Sequence, residues 1–263
     1  MPKFRQQMQF TWWKFIFIFN TSVILPACSS PSPTTASSVE TEPKPILEWR
    51  GGVTLTMDNP NFGGLSSLEI SDDGTTATAI SDRGYKFSIK LRYDETGILT
   101  EVNEIKALGA LKQPKGKTIK NVDAEGQTKF RNGTLISLER KHALWWYKSN
   151  KSQPKAQAIP KDMKKLPHNE GIEALTTLNN GNILLIAEGG EKNGTLPAWI
   201  GTPEAWKSLS YPFDGSFRPT DAAVLPNGNV LVLERQFSLA IFSWRLMLID
   251  QTSIIPKTVM KNH

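Results

Sequence analysis

The apolar positions of this chain come in short runs broken by Asn-Gly or Asp-Gly, and one such pattern recurs four times. The segments are GLSSLEISDDGTTATAISDRG (64–84), AEGQTKFRNGTLISLERKH (124–142), GIEALTTLNNGNILLIAEGG (171–190) and PTDAAVLPNGNVLVLERQF (219–237). Each reads as a strand, a tight turn, a second apolar strand and an acidic residue at its end. The turn glycines Gly74, Gly133, Gly181 and Gly228 stand 59, 48 and 47 residues apart. Asn-Gly and Asp-Gly suit hairpin turns whose central residues need positive φ. Runs such as ILLIA (183–187) and VLVLE (230–234) have the length and partial β-branching of strands. Four strands at a period of about 40 to 50 residues is the arithmetic of a propeller blade. The expected fold is all-β: a β-propeller of four-stranded antiparallel blades, about four of them visible. The turns and the shortage of long amphipathic helical patterns disfavour a helical solenoid. A β-sandwich with four similar hairpins is the competing fold.

The first residues follow a different pattern. MPKFRQQMQFTWWK is basic, FIFIFNTSVILPA is an apolar run of 13 residues, and Cys28 follows directly. A basic start and an apolar run too short to span a bilayer is the layout of a secretory signal. Leu25-Pro26-Ala27 before the sole cysteine resembles a bacterial lipoprotein signal, in which that cysteine is acylated (palmitate or a similar chain) and becomes N-terminal. A plain signal peptide is the alternative. Residues 1–27 are read as the signal. Residues 28–45, rich in Ser, Thr and Pro, form a tether that cannot bury enough apolar surface to offset its ordering entropy. The folded domain is expected over 46–263. The implied location is the cell envelope, outside the cytoplasm, with contact to the membrane through the lipid; Ser29 after the cysteine favours an outer membrane in a two-membrane host.

Composition narrows the chemistry. Of the formal net charge of +6, half lies in residues 1–27 as Lys3, Arg5 and Lys14 without any acid. The remaining +3 gives no reason to expect a nucleic-acid partner. One cysteine excludes a disulfide framework, and three scattered histidines exclude a multi-histidine metal centre. No Gly-x-Ser-x-Gly elbow occurs; Gly64-Leu65-Ser66-Ser67-Leu68 fails at its last position. There is also no His-Glu-x-x-His helix or phosphate-cradling Gly-x-x-x-x-Gly-Lys loop. Trp145, Trp146 and Tyr147 read as core and strand-face residues.

GGLSSLEISDDG with AISDRG, DAEG with SLERKH, LPHNEGIEALTTLNNGNILLIAEG and FRPTDAAVLPNGNVLVLERQFS resemble the bacterial phytase-like ("esterase-like activity of phytase") family over roughly residues 50–245. The resemblance implies a secreted or envelope-located propeller that hydrolyses esters or phosphate esters. Such propellers usually continue for further blades. The short stretch after Glu234 therefore reads as a shortened chain, with an open gap expected between the first and last sheets.

The repeats place acids at corresponding points: Glu125, Glu173 and Asp221 before the first strand of a hairpin, and Asp82, Glu139, Glu188 and Glu234 after the second. Arg83, Arg140 and Arg235 follow three of the latter. Rotation about a propeller axis would gather these groups around the channel mouth. Carboxylates suit a hard cation such as Ca2+, and arginine forks match phosphate oxygens. Glu125, Glu173 and Asp221 are the expected metal ligands, Arg83, Arg140 and Arg235 the expected substrate contacts, and Glu173 and His168 the candidate catalytic groups. The structural alternative is that acid–arginine pairs bridge neighbouring blades, and that His168 is a surface or packing residue. The expected activity is hydrolysis of a phosphate or other small-molecule ester. A non-catalytic propeller binding a ligand or protein, and a sugar-lactone hydrolase, are the alternatives.

Overall fold

In a computed structural model, which describes residues 50–115, 122–238 and 241–261, fifteen strands form four antiparallel sheets in chain order. The signal segment, Cys28 and the tether lie outside the described residues. The first blade comprises β1 (Leu65–Ile70), β2 (Thr76–Ser81), β3 (Tyr85–Tyr93) and β4 (Leu99–Ala110). The second comprises β5 (Ala124–Phe130), β6 (Gly133–Leu138), β7 (Ala143–Tyr147) and β8 (Lys155–Gln157). The third comprises β9 (Ile172–Thr177), β10 (Ile183–Ala187), β11 (Thr195–Thr202) and β12 (Ala205–Pro212). The fourth has three strands: β13 (Arg218–Val224), β14 (Val230–Ser238) and β15 (Ile241–Ile249). The first strand of each sheet packs on the first strand of the next, β1 on β5, β5 on β9 and β9 on β13. This is a four-bladed β-propeller arrangement. β13 and β1 share no comparable packing, so the blades form an open arc.

Three of the four turn glycines take the positive φ that a tight hairpin needs: Gly74 at 71°, Gly181 at 80° and Gly228 at 89°. In the second blade Arg131 takes it instead, at 54°. Gly133 is the first residue of β6, where a Cβ would run into the Tyr147 carbonyl. Its role is close approach, not turn geometry.

Burial explains why some strands are continuously apolar and others alternate. All five residues of β10 are buried. Ile183, Leu185 and Ala187 pack with Leu135, Leu144 and Phe130 of the second blade, while Leu184 and Ile186 pack with Val230, Val232 and Ile249 of the fourth. A strand covered on both faces has no solvent side to leave polar. β14 has one covered face: Val230 and Val232 are buried, Leu231 and Leu233 half-buried. Between the first two blades lie Ile80, Val122, Ile136, Leu138, Trp145 and Tyr147. Trp145 is thus core, and Trp146 donates its indole N–H to the Phe130 carbonyl (3.0 Å).

The expected fourth strand of the last blade is absent among the described residues, because the tail turns back. Ser208 and Ser210 of β12 exchange backbone hydrogen bonds with Lys257, Thr258 and Met260, and Ser210 forms a parallel bridge with Val259. The tail thus extends the third blade.

Candidate functional site

Each inner strand is interrupted by a β-bulge at its start. The register shifts at Ser66 in β1, at Glu125–Gly126 in β5, at Glu173 in β9 and at Thr220 in β13. A bulge leaves one residue out of the ladder and re-aims its side chain. Ser66, Glu125, Glu173 and Thr220 each lie eight residues before their turn glycine, so they are equivalent. Asp221 lies one residue further on and pairs with Leu233. Its carboxyl accepts the Ala222 N–H (2.9 Å). The fourth-blade counterpart of Glu125 and Glu173 is therefore Thr220, not Asp221.

The other end of each hairpin is aligned by backbone hydrogen bonds to the residue two before the bulge. Asp82 N–H donates to the Gly64 carbonyl, Glu139 to Asp123 and Glu188 to Gly171, at 2.8–2.9 Å. In the fourth blade the residue opposite Arg218 is Arg235. Arg235 thus occupies the acid's place, and its equivalence with Arg83 and Arg140 does not hold. Glu234 points to the opposite face, 1% exposed, where it accepts the Tyr211 hydroxyl (2.9 Å) and pairs with Arg245. It is a packing acid.

Three positions on each blade hence face one end of the arc. The first blade gives Gly64, Ser66 and Asp82; the second Asp123, Glu125 and Glu139; the third Gly171, Glu173 and Glu188; the fourth Arg218, Thr220 and Arg235. Two carboxylate triads result, Asp123–Glu125–Glu139 and Glu139–Glu173–Glu188, each with one oxygen per residue within 4.8 Å of the others. Glu139 belongs to both. Glycine is required beside it, since a Cβ on Gly171 would collide with the Glu139 side chain. Gly171 N–H points to Glu139 Oε1 (3.4 Å). Asp123 sits in the left-handed region, φ 54°.

Among the described residues, few cations reach these carboxylates. Arg140 Nε lies 2.6 Å from Asp123 Oδ2, and Arg235 lies 3.7 Å from Glu188 Oε1. Arg218 spends one N–H on the Glu188 carbonyl (2.6 Å). Arg83 reaches outward, 3.7 Å from Asp82 and 45% exposed. Burial first, and then the neighbouring Glu139, Asp123, Asp82 and Glu188 carboxylates, push Glu125 up to about 8. Burial likewise raises Glu139 to about 7, helped by Asp123 and Glu188. Glu173 is held well above the usual carboxylate range by burial and by Glu188 and Glu125. Burial and mutual repulsion thus favour the protonated form of these carboxyls.

The structure brings Glu125 and Glu173 together and leaves Asp221 outside both triads. His168 is exposed, its Nδ1 2.8 Å from Asn169 Oδ1, and belongs to neither triad. Asp123 and Arg218 were missed by the repeat argument. For Asp123 the DAEG stretch was the only signal.

A family model described as "Phytase-like: Esterase-like activity of phytase" matches residues 60–261. No curated protein matches the chain. Among solved structures, the Neurospora crassa Pan2 WD40 domain is similar at 9% identity, over 78% of this chain and 52% of that one, with a TM-score of 0.39. The C-terminal WD40 domain of Sif2 gives 10% identity, 76% and 58% coverage and a TM-score of 0.40. The extracellular domain of a hybrid two-component system from B. thetaiotaomicron gives 12%, 77%, 30% and 0.38. The chain spans about half the length of the first two and under a third of the last.

Proposed function

The chain belongs to the phytase-like family, and from that premise we propose that the polar end of the arc is a divalent-cation site, Ca2+ foremost, at which a phosphate ester is hydrolysed. The observation that carries this reading is the division of labour between blades. At equivalent positions the second and third supply carboxylates and the fourth supplies Arg218 and Arg235. The donor set is entirely of hard oxygen atoms, which suits Ca2+. Asp123, Glu125, Glu139, Glu173 and Glu188 would hold the ion or ions. A bound cation would screen the phosphate charge and acidify a coordinated water.

The chain's own residues do the rest. Arg235 and Arg218 present guanidinium forks from the blade facing the triads, matched to phosphoryl oxygens. We place the protein in the envelope, acylated at Cys28, where such esters would reach it from outside.

A second reading rests on the ion pairs themselves. Arg235 on the fourth blade pairs with Glu188 on the third, which suits a rim that holds blades together and binds a ligand without turnover. Assays over phosphate monoesters, inositol polyphosphates, carboxylate esters and lactones, with and without Ca2+, separate the two. The hydrolytic reading predicts phosphate release that needs the cation and is lost in Glu173→Gln. Ligand or cation binding without turnover of any of these esters would leave the binding reading in its place.

A further inference from the structure

We propose that His142 is a positioning residue for Glu139: it clasps the Glu139 turn to the crossover leading into the third blade, and so holds one carboxyl between both triads. The inference rests on the cation-site reading above and assigns the group that fixes its shared ligand. The backbone of Glu139 is held from both sides. Its N–H donates to the Asp123 carbonyl (2.9 Å), and its carbonyl accepts the His142 N–H (2.7 Å). Both partners are non-glycine residues at positive φ, 54° for Asp123 and 40° for His142. In the first blade the turn between the second and third strands, Ser81 to Gly84, closes through the same kind of hydrogen bond (2.7 Å). There the residue at positive φ is Gly84, at 78°. A Cβ in that conformation crowds its own backbone, a strain that glycine escapes. The second blade thus places a histidine where a glycine would form the turn more easily. Such strain persists where the surroundings enforce it, and it gathers at functional sites.

The imidazole shows what the side chain is for. His142 is 8% exposed, and its Nε2 lies 3.1 Å from the Leu166 carbonyl. A carbonyl only accepts, so Nε2 carries the proton. Nδ1 is then a buried acceptor with no partner among the described residues. An apolar side chain would fill the space without that cost, so the donor to Leu166 is what the position requires. Leu166 follows the short 3-10 helix Lys161–Lys165 and begins the stretch that docks on the site. From there the chain turns, with the Glu170 N–H on the Pro167 carbonyl (3.1 Å). Glu170 Oε2 then accepts the Gly190 N–H (3.1 Å), and Gly171 N–H points to Glu139 Oε1 (3.4 Å). The Gly171 carbonyl accepts the Glu188 N–H (2.9 Å). His142 therefore anchors one end of a strap whose other end touches Glu139 and Glu188. Without the anchor Gly171 can withdraw, and the Glu139 carboxyl is free to turn out of either triad. Partners behind the ligands commonly fix ligand orientation in this way.

Two variants of the full chain test the clasp. His142→Gly keeps the left-handed turn and removes the donor, while the amide of His142→Gln can still reach Leu166. Calorimetric titration with Ca2+ should show binding weakened roughly 10- to 100-fold in His142→Gly and close to wild type in His142→Gln. Amide hydrogen exchange, followed by NMR without any cation, supplies the second readout. It should quicken at Gly171 and Glu188 in His142→Gly and not in His142→Gln, with the β10 amides unchanged in both. Wild-type protein that binds no Ca2+ would sink the cation reading by itself, and the exchange pattern would still decide the clasp. Unaltered exchange or unaltered Ca2+ affinity in His142→Gly, or equal losses in the two variants, would overturn the proposal.

Discussion

Glu139 is the residue on which the site turns, since it is shared by both carboxylate triads and is only 8% exposed. Its carboxyl and that of Glu125 titrate near 7 and 8 in the fold, against an ordinary 4.5. Below about 4.5 both folded and unfolded forms are protonated, so these groups cost nothing. As pH rises from there to about 8, the unfolded chain releases its protons first and the folded state is progressively disfavoured. Cation-free protein should thus lose stability across that window. Glu139→Gln removes part of the dependence, so melts recorded from pH 4.5 to 8 should show the variant gaining on the wild type as pH rises. A variant with an unchanged or steeper loss would contradict the crowding described here. The acids themselves were legible in the sequence; their partition was not. Glu234 carries the same Glu-Arg dipeptide as Glu139, yet one residue's difference in strand register turns it to Tyr211 and Arg245.

At the scale of the element, the bulge is what aims the site. Its position was readable in principle, because the bulged residue stands eight places before the turn glycine in all four repeats. Counting that distance selects Thr220, whereas matching by charge selects Asp221. The hairpin's far end could not be counted in the same way, since the interval from turn glycine to Asp82, Glu139, Glu188 and Arg235 varies with turn and strand length. Glycine contact is the second device. Gly171→Ala should drive Glu139 from its place and cost about 1–3 kcal/mol by overpacking, read by denaturant unfolding, with cation affinity reduced beyond that of a surface variant. The strands offer a calibration. Leu185→Ala, in a strand covered on both faces, should cost about 2–5 kcal/mol. Leu233→Ala, on the less covered face of β14, should cost clearly less. Equal costs would mean that this face is covered in solution.

Across the whole molecule, the repeat spacing predicted consecutive antiparallel sheets, and these form; the last has three strands because the tail joins β12. The open junction between β1 and β13 was anticipated from the short run after Glu234. The cover that residues 50–63 place over the first blade was not: VTLTMD alternates apolar and polar positions, but it precedes the first hairpin repeat and has no counterpart in the other three. Envelope attachment is tested at this scale too: Cys28→Ser should abolish incorporation of a labelled fatty acid and move the protein from the membrane to the soluble fraction. Unlabelled wild-type protein would refute acylation. The central claim, that the carboxylates of the second and third blades form a cation site facing the arginines of the fourth, is tested most directly by calorimetric titration of Ca2+ at pH 7 in buffers of differing ionisation enthalpy. The account predicts saturable binding with proton release, since Glu125, Glu139 and Glu173 must give up protons to ligate, and loss of both signals in Glu139→Gln. Binding without proton release, or the same isotherm in wild type and Glu139→Gln, would contradict it.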